Sequence, residues 1–158
     1  MIRGVWERSV ALLVPMIIAN AGLIIAAPTA AALDETTSAS QALTLVNQQR
    51  VNAGCAALRV VGKLQAPAER QSRDQAARNR LGHSGANGST SRSRLGGLGY
   101  SRWAENIAQF QSARAAVKFW STSPGHRASM LNCAFRDTGL SVARSASGRL
   151  YWTQTFGG

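Results

Sequence analysis

Two histidines, His83 and His126, stand almost evenly on either side of one carboxylate, Glu105, and they are the only imidazoles in the chain. Two imidazoles and a carboxylate form a donor set suited to Zn²⁺ or another divalent cation. Three protein ligands plus a water make the open arrangement of catalytic zinc sites. The same three groups suit acid–base work, with Glu105 orienting one imidazole so that it stays a base near neutral pH. They also suit a purely structural role, as a polar network tying three segments together. No HExxH spacing fixes the ligands on one helix, so any of these uses depends on the tertiary fold. No serine, threonine or cysteine nucleophile stands out beside them, and Ser84, next to His83, has nothing to activate it. Catalytic residues are therefore left unassigned.

The segments that carry these groups are well punctuated. His83 stands at the start of a Gly-, Ser- and Arg-rich stretch over 82–102, which predicts a long loop with one helical turn around Ser91–Leu95; loops of this length are often functional. Trp103 to Phe110 alternates loosely and predicts a strand carrying Glu105. Ser123-Pro124 predicts the start of a short helix ending near Leu131, with Ser123 as N-cap and Pro124 at the first position. His126 then sits in the first turn, where the helix dipole disfavours its protonated form. Between strand and helix, Ala113, Ala116, Val117 and Trp120 fall on one face of a helix over 112–120.

The remaining elements support this centre. Ser38 and Gln41 fit a capping box opening a helix to Asn52, which Gly54 stops. Cys55 to Val61 reads as a short extended piece. A second helix is expected over 64–80, with Pro67 in its first turn and a thin buried face of Leu64, Ala68 and Ala76. Asp137–Ala143 and Arg149–Phe156 read as a hairpin turning near 146–148, with the last strand central. Trp103, Trp120, Tyr151 and Trp152 read as core and cleft wall. Asn106 and Arg127 flank the candidate site and suit either a backbone cap or a ligand contact.

Arg3 and Arg8 precede an apolar run from Val10 to Ala27 and the small-residue site Ala30-Ala31-Ala32. This pattern predicts a secretory signal peptide over 1–32, followed by one domain over 33–158. An uncleaved anchor is the competing reading, because the run is about long enough to span a bilayer. Export makes a disulfide between Cys55 and Cys133, the only two cysteines, the default; it would be worth roughly 4 kcal/mol on the chain-entropy model. The 158 residues carry a net charge of +11, and removing Arg3, Glu7 and Arg8 with the leader leaves +10. Such a charge favours anionic surfaces, and outside the cell these are an envelope lipid or an acidic polymer. No clustered basic run with interleaved aromatics marks a nucleic-acid face.

These pieces resemble the CAP superfamily (cysteine-rich secretory, antigen 5 and pathogenesis-related proteins), and most of all its compact bacterial SCP-like form. The resemblance rests on VNQQR at 46–50, GHSG at 82–85, GY at 99–100, WAENIA at 103–108, Trp120, SPGHRASMLN at 123–132 and YWTQTFG at 151–157. It implies an α+β fold, a three-layer α-β-α sandwich with a small antiparallel sheet. It also implies a cleft lined by His83, Glu105 and His126, in which some members hold a divalent metal between the histidines, here His83 and His126. The family's second acid should follow Trp120 by three positions, where Ser123 stands instead. In the second helix, Gln71 and Gln75 replace a histidine and a methionine, making its inner face more polar. The expectation is a secreted monomeric binding module at the cell envelope, for an anionic lipid, polymer or sterol-like ligand. A metal-assisted peptidase or cell-wall hydrolase is the alternative.

Overall fold

A computed structural model describes residues 29–158, so all but the last four residues of the expected leader over 1–32 lie outside the described residues. Helix α1 (Ala30–Asn52) is followed by β1 (Arg59–Val60), α2 (Gly62–Arg78), α3 (Ser91–Leu95), β2 (Trp103–Gln109), α4 (Ala113–Thr122), α5 (Pro124–Met130), β3 (Asp137–Arg144) and β4 (Leu150–Gly157). The four strands form one sheet in the order β1-β3-β4-β2. β4 runs antiparallel to both its neighbours, while β1 joins β3 in parallel, so the small sheet is mixed. The last strand, β4, is central, as expected.

The two faces of the sheet are packed by different chemistry. On one, Leu140, Val142, Trp152 and Phe156 meet Ala42 and Val46 of α1, Ala116, Val117 and Trp120 of α4, and Met130 of α5 in the main apolar core. On the other, α2 lies over β3 and β4 with buried polar side chains. Ser72 donates to Ser141 at 3.0 Å, and the Gln75 amide donates to Thr153 at 2.9 Å. The Gln71 amide donates to the Gly82 carbonyl at 2.6 Å. Buried polar groups are tolerated only when paired, and these pairs turn the two glutamines into anchors for the loop that carries His83. With α3 beside α2 and β2, the layers are helix, sheet, helix.

Helix α1 begins earlier than the Ser38–Gln41 capping box predicts. Its N-cap is Thr29, whose hydroxyl accepts from the Ala32 N–H at 3.2 Å. Alanine and other good helix formers over 30–35 extend the helix backwards past a cap signal that is only local. Helix α2 likewise starts at Gly62, which leaves Pro67 inside the helix rather than in its first turn. Cys55 and Cys133 are joined in a disulfide across a sequence separation of 78. The same corner is tied by Arg50, buried without a carboxylate partner. Its guanidinium donates to the carbonyls of Ala56, Met130, Asn132 and Phe135 at 2.7–3.1 Å. Among the described residues no helix is long and apolar enough to cross a membrane.

Candidate functional site

Strand β2 lies at an edge of the sheet and brings the three sequence-predicted residues together. Its side chains alternate between faces. Glu105 pairs in register with Thr155 and points toward α2 and α3, whereas Asn106 pairs with Gln154 and points toward α4 and α5. On the first side the His83 Nδ1 lies 2.8 Å from Glu105 Oε1. On the second the buried Asn106 amide donates to the His126 carbonyl at 2.9 Å, fixing the first turn of α5 beside the strand. The two imidazoles thus approach the same strand edge from opposite layers.

Glu105 has a partner that the sequence did not single out. Arg94, on the short helix α3, places Nη2 at 2.8 and 2.9 Å from the two carboxylate oxygens and Nε at 3.3 Å from Oε2. Arg94 Nη2 also donates to the His83 carbonyl at 2.7 Å. The pair is withdrawn from water, with side-chain exposures of 6% for Arg94 and 1% for Glu105, whereas His83 is 50% exposed. A two-oxygen guanidinium–carboxylate contact is strong and directional, and it neutralises the only carboxylate at the site. α3 is held in place by a capping box, in which Thr90 accepts from the Ser93 N–H and Ser93 accepts from the Thr90 N–H. The expected helical turn is therefore there to deliver Arg94.

His126 is oriented by Ser123, whose Oγ lies 2.8 Å from its Nδ1. Ser123 occupies the N-cap position but makes no side-chain cap, contrary to its expected use. Burial, reinforced by the charge of nearby His83, holds the His126 pKa below the ordinary imidazole range. The direction matches the expectation from sequence, and desolvation is its main cause. Phe119 stacks at a tilt on the His126 ring, with centroids 5.1 Å apart, and Phe110 continues the row at 5.3 Å from Phe119. Trp120, Tyr151 and Trp152 are buried, and Trp103 is half-buried beside the site. Arg127 is exposed.

These contacts define what the site can hold. Each imidazole has its Nδ1 occupied, by Glu105 or by Ser123, and among the described residues no hydrogen bond reaches either Nε2. Outer partners on Nδ1 are the usual arrangement for metal-bound histidines, since they fix ring orientation and tautomer. The two Nε2 atoms are thus the nitrogen donors that the site leaves open, of a type that divalent cations take. Glu105 does not fit as a third ligand, because Arg94 and His83 already occupy its oxygens. In agreement, no group of three or more His, Cys, Asp or Glu side chains gathers as a metal site among the described residues.

The same architecture recurs in solved structures of other proteins. An extracellular protein containing an SCP domain from Bacillus anthracis is 26% identical, with a TM-score of 0.71 over 84% of this chain and 44% of that one. This chain thus spans less than half of the Bacillus protein. An outer surface protein from Borrelia burgdorferi is 16% identical, with a TM-score of 0.66 over 73% of this chain and 87% of that one. NaASP2, solved with Zn²⁺, is 15% identical, with a TM-score of 0.56 over 76% and 78% of the two chains. No curated protein sequence matches. A model of CAP, the cysteine-rich secretory protein family, matches residues 43–156, nearly all of the described fold, so the chain belongs to the cysteine-rich secretory protein family.

Proposed function

We propose that this is a secreted CAP-domain protein, exported by a leader over 1–32 and acting through its domain at 33–158 as a binding module outside the cell or at its envelope. Its ligand cleft lies between His83 and His126. The observation that carries this reading is the occupation of Glu105. A carboxylate bound through both oxygens to a buried arginine serves as a fixed prop for His83, not as a general base, and a base must reach the proton it removes. The extracellular and surface proteins that share the fold support the location, and the net charge of +11 supports an anionic partner at the envelope.

Within the cleft, the Nε2 atoms of His83 and His126 would hold a divalent cation. A zinc-containing relative of the same fold makes Zn²⁺ the first ion to try. Such a cation supplies Lewis acidity and an activated water when bound. A hydrolytic reading draws on one further observation, that His126 is kept neutral by burial and so remains able to bind a metal or accept a proton. Titration calorimetry with Zn²⁺, read alongside the imidazole NMR signals, tests the cleft. The parent is expected to take up the ion, and His83→Ala and His126→Ala each to lose that uptake. Equal uptake by all three proteins overturns the assignment. Peptidase and cell-wall assays on the same set decide the second reading, which ends if parent and variants are equally inactive.

A further inference from the structure

The two outer edges of the sheet are treated differently. On β3 the main-chain groups facing outward belong to the even-numbered residues. β1 bonds the first of them, with Arg59 N–H to the Arg136 carbonyl and Val61 N–H to the Thr138 carbonyl, both at 3.0 Å. The Gln65 side-chain amide then accepts from the Leu140 N–H at 3.0 Å and donates to the Leu140 carbonyl at 3.1 Å. A side chain here imitates a strand, a device that keeps an edge from pairing with other chains.

On β2 the reciprocal bonds between Arg102 and Gly158, at 3.0 and 3.1 Å, set the phase of the ladder. Even-numbered residues face β4, so Trp103, Glu105 and Ile107 turn their N–H and C=O groups away from the sheet. Trp120 Nε1 donates to the Ile107 carbonyl at 3.0 Å. Among the described residues nothing bonds the outward main-chain groups of Trp103 and Glu105. The Glu105 side chain is 1% exposed, yet the residue as a whole is only half-buried, so the part that solvent touches is its main chain. This open stretch lies where the two imidazoles converge.

We propose that the cleft takes an extended acidic peptide segment of another protein, which adds to β2 as an outer strand across Trp103–Glu105, up to the Ile107 carbonyl that Trp120 already holds. Another extended backbone is what presents donors and acceptors at the alternating spacing that this edge leaves unpaired. Its side chains would alternate between the layer of His83 and the layer of His126. The acidic preference follows from charge. Arg94 cancels Glu105, while Arg102, immediately before the strand, and Arg127, immediately after His126, are exposed cations on a chain of net charge +11. This inference rests on the reading of the cleft as a binding site, and the experiment separates the two.

The probe is the acetylated, amidated heptapeptide TEVEVET, titrated into the ¹⁵N-labelled, disulfide-bonded protein. Its companions are a lysine counterpart, TKVKVKT, and two forms N-methylated on alternate sets of amides. The parent peptide is expected to shift the amide signals of Trp103 and Glu105 and to slow their exchange. One methylated form, blocked at the amides that face β2, is expected to bind about tenfold more weakly, the equivalent of one or two net hydrogen bonds. The other is expected to bind like the parent. Equal binding by both methylated forms, or shifts confined to other elements, overturns strand addition. Slowed exchange at these amides on raising protein concentration without peptide assigns the edge to a second copy and overturns the proposal. Equal binding of TKVKVKT removes the acidic preference. If Zn²⁺ moves the His83 and His126 ring signals while the peptide leaves β2 untouched, the strand-addition proposal fails and the cleft stands. If neither ligand has an effect, the cleft reading fails as well.

Discussion

Replacing Arg94 by methionine should be among the most damaging single changes at the site. The substitution keeps the length and the packing of the stem but removes every guanidinium donor to Glu105 and the link to the His83 carbonyl. The carboxylate is then left almost fully buried with only an imidazole beside it. Breaking a buried ion pair by removing one partner costs about 3–5 kcal/mol, because an uncompensated charge remains. For a chain of this size, with a urea m-value of about 2 kcal/mol/M, the unfolding midpoint should fall by roughly 1.5–2.5 M. The double variant Arg94→Met, Glu105→Gln no longer buries a charge and should recover part of that loss, which separates the electrostatic effect from lost packing. Urea unfolding followed by tryptophan fluorescence measures both proteins. The reasoning is refuted if Arg94→Met costs less than about 1 kcal/mol, or if adding Glu105→Gln deepens the loss. Zn²⁺ affinity supplies a second readout, expected to drop about tenfold or more once Arg94 no longer holds the His83 carbonyl and Glu105 in place.

Three further outcomes are expected. Gly139→Ala should destabilise the fold by about 2–3 kcal/mol or more in urea unfolding, because a Cβ there would overlap the Leu64 carbonyl where α2 crosses β3 on rigid backbone. Arg50→Met should cost about 3–5 kcal/mol, since it strands the buried carbonyl bonds to Met130 and Phe135, each worth about 1–3 kcal/mol; a midpoint within about 0.3 M of the parent, about 0.6 kcal/mol at that slope, would be contrary to it. His126 has a folded pKa below the ordinary imidazole value of 6.5, so the unfolded chain binds the proton more readily. Its contribution should therefore be complete above pH 6.5 and decline as pH falls through the window below that value. NMR titration of the ring, with unfolding free energies measured across the same range, checks the sign, and a folded midpoint above 6.5 would reverse it.

The parts of this site that were legible in the sequence are those whose residue types are rare. Two histidines in a long chain, set in punctuated segments around one acid, identify themselves, and the motifs around them carry the fold. Arg94 was illegible for the opposite reason. It is one of 18 basic residues, in a stretch dense with arginine, and only the fold decides which guanidinium meets Glu105. The signal that could have found it is physical: a carboxylate on a half-buried strand needs a counter-charge, and the predicted turn at Ser91–Leu95 is the segment that offers two arginines. Ser123 departs from its cap role because cap propensity is a local signal, whereas its hydroxyl is taken by an imidazole one turn on. Gln71 and Gln75 do form a polar inner face, as their residue types imply. Sequence could not tell that they hold the His83 loop through Gly82, because that bond joins the middle of a helix to a point beyond its end.

The position of β4 also bears on how the protein is made. Three strands are synthesised before it, yet β2 and β3 touch each other only through it. Until the eight residues of β4 leave the ribosome, the sheet has no middle, and neither histidine layer has a common floor to settle on. Contacts this distant in sequence form late and slowly. Under the export route proposed above, such a chain would stay open while it is threaded through a channel, and would close its cleft only after its final strand has arrived on the far side.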